Sequence, residues 1–88
     1  MQFQQYDLGF VQQGSAAEVV LSGNAANVLL LDSNNLNNYR AGRQFRYFGG
    51  YVKSSPVRIP IPSSGNWHVV IDLGGMHGSV RTSVRLVN

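Results

Sequence analysis

From Ser79 to Leu86 the chain alternates without a break, with Val80, Thr82, Val84 and Leu86 on one parity and Ser79, Arg81, Ser83 and Arg85 on the other. A period of two is the signature of a strand with one face on a core and one in water. The segment before it repeats the pattern, setting Trp67, Val69, Ile71 and Leu73 against His68, Val70 and Asp72. Between the two lies Gly74-Gly75-Met76-His77-Gly78, which reads as a hairpin loop. Further back, Val57, Ile59 and Ile61 alternate with Arg58 and Pro60. Pro56, Pro60 and Pro62 cannot donate to a ladder, so this strand belongs at a sheet edge.

The remaining strands follow from shorter signals. Ala17 to Leu21 and Val28 to Leu31 read as strands joined by Ser22 to Asn27, and another is expected around Phe3 to Leu8. Phe45 to Phe48 and Tyr51 to Lys53 flank Gly49-Gly50, which suggests a second hairpin. One stretch breaks the pattern. In Asp32 to Gly42, Leu36 and Tyr39 are three apart, Asp32 or Ser33 can cap an N-terminus, and Arg40 followed by Gly42 suits a helix end. A short helix is expected over residues 33–41, weakened by four asparagines. The sum is an all-β chain: a small, jelly-roll-like β-sandwich of seven or eight strands with one short helix, forming one domain over residues 1–88.

Composition bounds the chemistry. A chain of 88 residues needs most of its apolar side chains simply to fold. It has no cysteine, so neither a disulfide framework nor a thiolate metal site can form. The opening Met1 to Tyr6 has no basic stretch and no apolar run, so no signal peptide is expected. The longest apolar run is Val28 to Leu31, far below a bilayer span. A cytoplasmic protein is the default expectation, with no membrane partner.

Catalysis needs titratable groups brought together, and the chain offers four carboxylates and two histidines. His68 and Asp72 share a strand face but stand about 13 Å apart at the usual rise per residue, so both are expected to be ordinary surface residues. His77 falls in a loop tip. No G-x-S-x-G elbow, H-x-x-x-H pair or phosphate-loop signature occurs. No enzyme, metal or cofactor is therefore expected.

The suggestive constellation is the middle of the chain. From Ser33 to Ile71 there is no acidic residue, yet Arg40, Arg43, Arg46, Lys53 and Arg58 all lie there, interleaved with Tyr39, Phe45, Tyr47, Phe48 and Tyr51. Arginine grips phosphate or carboxylate with a planar fork, and aromatic faces stack on bases or sugars. The candidate ligand-binding residues are Tyr39, Arg40, Arg43, Arg46, Tyr47 and Arg58. The same run also fits a folded hairpin whose arginines are merely solvated. Asn34, Asn35, Asn37 and Asn38 form an amide cluster that either reads a polar ligand or serves capping and turns.

Taken together, Tyr6-Asp7-Leu8-Gly9, Leu21-Ser22-Gly23-Asn24-Ala25-Ala26-Asn27-Val28, Leu31-Asp32-Ser33, Asn38-Tyr39, Gly42-Arg43, Arg46-Tyr47-Phe48-Gly49-Gly50, Ser55-Pro56-Val57, Trp67-His68-Val69 and Asp72-Leu73-Gly74-Gly75 carry a resemblance. The chain resembles the bacterial domain-of-unknown-function family numbered eighteen eighty-three, over nearly its whole length. That resemblance implies a short module that also occurs fused to TIR domains, which act in immune signalling and NAD cleavage. No TIR segment lies in these residues, so no NAD-cleaving activity carries over, and the family supplies no catalytic residues. The strand order also looks similar to the jelly-roll sandwiches appended to secreted bacterial proteases, an analogy of fold alone.

The leading expectation is a non-catalytic binding module, a sensor or adaptor linked to TIR-type defence. It would take a small polar or anionic ligand or a protein partner. A self-assembling homo-oligomer is the second reading, since small chains often gain stability that way. Weak, salt-sensitive nucleic-acid binding is the third.

Overall fold

The computed structural model describes residues 3–23, 25–73 and 80–87. Among them are seven strands and one helix: β1 (Phe3–Val11), β2 (Ala16–Gly23), β3 (Ala26–Asp32), α1 (Ser33–Arg40), β4 (Phe48–Val52), β5 (Val57–Pro60), β6 (Gly65–Asp72) and β7 (Val80–Val87). They form two antiparallel sheets, one ordered β1-β6-β3-β4 and the other β5-β2-β7. The expected small β-sandwich is the observed architecture.

Apart from β3–α1–β4, every connection between successive strands crosses from one sheet to the other. Neither expected hairpin forms, and the reasons are physical. β6 is an interior strand with β1 on one edge and β3 on the other. Both its ladders are taken, so β7 leaves for the free edge of β2. The glycine-rich stretch expected to turn between them, with His77, lies outside the described residues. Gly49-Gly50 does not reverse the chain either. Both residues lie within β4, opposite Leu29 and Val28 of β3. Gly49 has φ +118°, and a Cβ there would stand 2.1 Å from the Val28 carbonyl oxygen, so only glycine lets the strands approach this closely.

The parity of each strand explains the core. Ala26, Val28 and Leu30 of β3 and Trp67, Val69 and Ile71 of β6 point inward against Ala17, Val19 and Ile59 of the other sheet. The four-residue apolar run 28–31 is explained by a second cluster on the opposite face. Leu29 and Leu31, with Val70, are buried beneath Leu36 of α1. β3 is thus covered on both sides, which is why it reads as continuous rather than alternating.

The helix follows its local signals. The Asp32 side chain caps it by accepting the Asn35 N–H at 2.8 Å, Arg40 occupies the last turn, and Gly42 takes φ +74° just beyond. By crossing the outer face of the larger sheet, α1 buries His68 and Asp72, which are 8% and 7% exposed. The expectation of ordinary surface residues fails there. Their parity was outward, but the outward face is roofed.

The two sides of the sandwich close differently. Beside β1 and β7, the Tyr6 hydroxyl meets Thr82 Oγ1 and donates to the Thr82 carbonyl at 3.1 Å, and Thr82 Oγ1 donates to Gln4 Oε1 at 2.5 Å. Beside β4 and β5 the mouth stays open as a groove of about 380 Å³ between residues 49–52 and 57–60. β5 pairs with β2 alone, so the proline-bearing strand is an edge, as its missing donors require.

Candidate ligand-binding surface

Residues 41–47 have no regular structure but are held on α1 by amides. The Asp32 carboxylate accepts both the backbone N–H and the side-chain Nδ2 of Asn35, at 2.8 and 2.9 Å. This orients the Asn35 Oδ1, which accepts the Arg46 backbone N–H at 2.8 Å. One turn along, the Asn38 carbonyl accepts the Arg43 backbone N–H at 2.8 Å and its Oδ1 accepts Arg43 Nε at 3.1 Å. Asn35 and Asn38 are three apart and therefore neighbours on one helix face, so Arg43 and Arg46 are fastened side by side. Phe45 seals the arrangement from below. Its ring meets Tyr39 edge-on at 5.2 Å and Tyr47 at 5.7 Å, and it packs on the cluster under α1.

Of the six residues read from the sequence as a ligand surface, five lie on α1 and the loop fastened to it. Arg40, Arg43 and Arg46 are exposed, and Tyr47 is 47% exposed beside them. Tyr39 lies in the same array but is half-buried, and its hydroxyl donates to Asp72 Oδ2 at 2.7 Å. Burial, then the hydrogen bond and negative charge of Asp72, raise its pKa well above the ordinary tyrosine value. Its role at the surface is to carry Phe45, with its phenol kept neutral.

Arg58 does not join them. It lies on the outer face of the three-stranded sheet, where Glu18 stands directly between Arg58 and Arg85 on the neighbouring strands. Arg58 Nε donates to Glu18 Oε2 at 2.8 Å and Arg85 Nε to Oε1 at 2.6 Å. Both guanidinium groups hold the Glu18 carboxyl below its ordinary pKa.

All four carboxylates of the chain are committed elsewhere. Asp7 accepts the Gly9 N–H, Glu18 pairs with Arg58 and Arg85, Asp32 caps α1, and Asp72 accepts from Asn27 Nδ2 and Tyr39. Among the described residues, none of them meets Arg40, Arg43 or Arg46. Nor do three His, Cys, Asp or Glu side chains converge there as a metal site.

A second polar cluster, absent from the sequence reading, sits at the other end of α1. Ser33 Oγ lies 2.9 Å from His68 Nε2, and His68 Nδ1 lies 3.6 Å from Asp7 Oδ1. Its members come from α1, β6 and β1. The pairing register, Asp7 opposite His68, accounts for two of the three members, and α1 brings the third.

The family model described as Domain of unknown function (DUF1883) matches residues 1–88, the full sequence. The chain belongs to this family. No curated protein and no solved structure matches the DUF1883 chain. The geometry above is therefore the ground on which its function is read.

Proposed function

We propose that this DUF1883 chain is a binding module for a small anionic ligand, held by Arg43, Arg46 and Arg40 with a planar group of the ligand against Tyr47. The observation that carries this reading is the pinned loop. Arg43 and Arg46 stand on a loop already ordered by Asn38 and Asn35, Arg40 ends the helix before it, and none of the three has a carboxylate partner among the described residues, so little ordering is left for a ligand to impose. Arginine's planar fork suits phosphate or carboxylate. A sensor or adaptor role accords with the TIR-fused architecture that the sequence resemblance implies. A reducing, cytoplasmic setting, consistent with a cysteine-free chain, is part of the proposal.

The test is a thermal-shift panel of nucleotides, sugar phosphates, neutral sugars and short oligonucleotides. A ligand at about 100-fold its Kd adds about 2.7 kcal/mol of stability, roughly 10 °C or more for a domain of this size. Phosphorylated ligands should shift the wild type, and Arg43→Ala or Arg46→Ala should abolish the shift. A panel without any shift, or a shift that survives both substitutions, overturns the reading. Binding by oligonucleotides alone, falling steeply with salt, would assign the surface to nucleic acid instead.

A further inference from the structure

The cluster at the N-terminal end of α1 has a chemistry of its own, independent of the arginine surface. His68 is buried, and its Nδ1 has no hydrogen-bond partner among the described residues. A buried ring nitrogen in that state calls for an explanation. The nearest charged group is Asp7 Oδ1, at 3.6 Å. A bare Nδ1 lone pair opposite a carboxylate is repelled, whereas an Nδ1–H is attracted, so the proton belongs on Nδ1. Nε2 then carries the lone pair, and Ser33 Oγ, 2.9 Å away, is its hydrogen-bond donor. Ser33 is exposed. The serine hydroxyl thus faces a base, and the base faces an orienting carboxylate.

Two features of the fold hold this line. Asp7 sits directly opposite His68 in the β1–β6 ladder, and the register slips between Asp7 and Gly9. Gly9 adopts φ +69° and donates its N–H to Asp7 Oδ1 at 2.8 Å, which anchors the carboxylate beside the imidazole. Bulges of this kind re-aim side chains. Ser33 is the first residue of α1, where backbone N–H groups lack intrahelical acceptors and the helix dipole is positive. The Asp7–His68 separation exceeds a hydrogen bond, and such contacts are often long before a substrate binds.

We propose that Ser33 is a nucleophile activated by His68 as general base, with Asp7 positioning the imidazole, and that it takes groups from small neutral acyl esters. The preference for a neutral donor follows from the surroundings. Asp7 and the capping Asp32 both place negative charge near Ser33, which disfavours the anions that the arginine surface attracts. In the step, Ser33 Oγ bonds to the carbonyl carbon and its proton moves to His68 Nε2. The ester C–O bond breaks, and the leaving alkoxide takes that proton. Water then hydrolyses the acyl-serine by the same route.

A neutral alkyl fluorophosphonate tests the first half directly. The Ser33 O–P bond forms, P–F breaks, fluoride leaves, and the serine proton passes through His68 to solvent. Peptide mapping by mass spectrometry reads the site of attachment, with the exposed Ser22, Ser63 and Ser64 of the same chain as internal references. General-base assistance should label Ser33 at least about 100-fold faster than those serines. His68→Gln should reduce Ser33 to their level. Asp7→Asn retains an acceptor for Gly9 and should slow labelling about 10-fold, a positioning effect smaller than the roughly 100-fold or more of proton transfer itself. It keeps the test open if the buried histidine cannot be replaced without unfolding. Ser33 labelled no faster than the reference serines overturns the proposal, as does labelling indifferent to Asp7→Asn and His68→Gln.

Discussion

Leu36 is the single buried residue of α1 and the cap of the cluster formed with Leu29, Leu31 and Val70. Leu36→Ala should therefore reveal how the helix is attached. Buried leucine-to-alanine changes cost about 2–5 kcal/mol, the spread depending on how well the site collapses. Here collapse is easy, because the cavity is roofed by one short helix rather than enclosed between sheets, and about 2–3 kcal/mol is expected. The loss also has a ceiling. Once docking becomes weaker than the rest of the fold, α1 detaches while the core between the sheets stays closed. Urea unfolding followed by fluorescence of Trp67, which is buried in that core, would then report only part of the change. The denaturant slope should fall as well, because a native state with α1 released already exposes Leu29, Leu31 and Val70. Amide exchange in residues 36–41 reads the local loss directly. A stability loss under about 1 kcal/mol with unchanged exchange in α1 would contradict this account. It would mean that the polar contacts of Asp32, Asn35 and Tyr39, rather than Leu36, hold the helix.

Two further outcomes follow from single positions. The folded-state pKa of Glu18 is lowered from the ordinary 4.5 by Arg58 and Arg85, so near that pH the unfolded chain binds more protons. Its stabilisation is complete above the ordinary value and is lost as pH falls through the lowered one. Glu18→Gln should flatten the wild-type decline of the urea midpoint between about pH 5 and pH 3, and parallel profiles would count against the clamp. Gly49→Ala should cost about 2 kcal/mol or more, because φ +118° is joined by a Cβ placed against the Val28 carbonyl. Gly42→Ala, at φ +74° with open space around it, should cost only about 1 kcal/mol in the same denaturation assay, and equal losses would remove the steric argument.

What could be read from the chain was what is written locally. The alternation of 79–86 and 67–73, the cap and stop signals around α1 and the prolines in and around β5 each depend on residues within one turn or one strand. Pairing does not. The glycines at 49–50 announce unusual backbone, but whether the chain reverses there or runs on depends on the close approach of Val28 from β3. The turn expected after Asp72 failed as a hairpin because the partners of β6 are β1, some 60 residues earlier, and β3, about 40 earlier. The same distance effect governs the site. Arg40, Arg43, Arg46 and Tyr47 were found because they are neighbours in sequence as well as in space. Arg58 was grouped with them by its position in an acid-free stretch, and its partner Glu18 is 40 residues upstream. Ser33, His68 and Asp7 were missed for the converse reason, since they meet only through α1, β6 and β1.

The placement of four carboxylates links the fold to the surface it presents. Seven Lys and Arg side chains face four Asp and Glu, and each acid holds a piece of the fold, whether a bulge, a cross-strand clamp, a helix cap or a buried hydrogen-bond hub. Two arginines, Arg58 and Arg85, share Glu18, leaving Arg40, Arg43, Arg46, Lys53 and Arg81 without a carboxylate among the described residues. Three of those five stand at α1 and the loop after it. The Asp32 carboxylate caps α1 and also orients the Asn35 amide that fastens Arg46. A helix cap is worth about 1 kcal/mol to stability, but here it also fixes the backbone that carries Arg46 beyond the far end of the helix. The acids thus shape the basic surface by their absence from it and, through Asn35, by the geometry they impose on it.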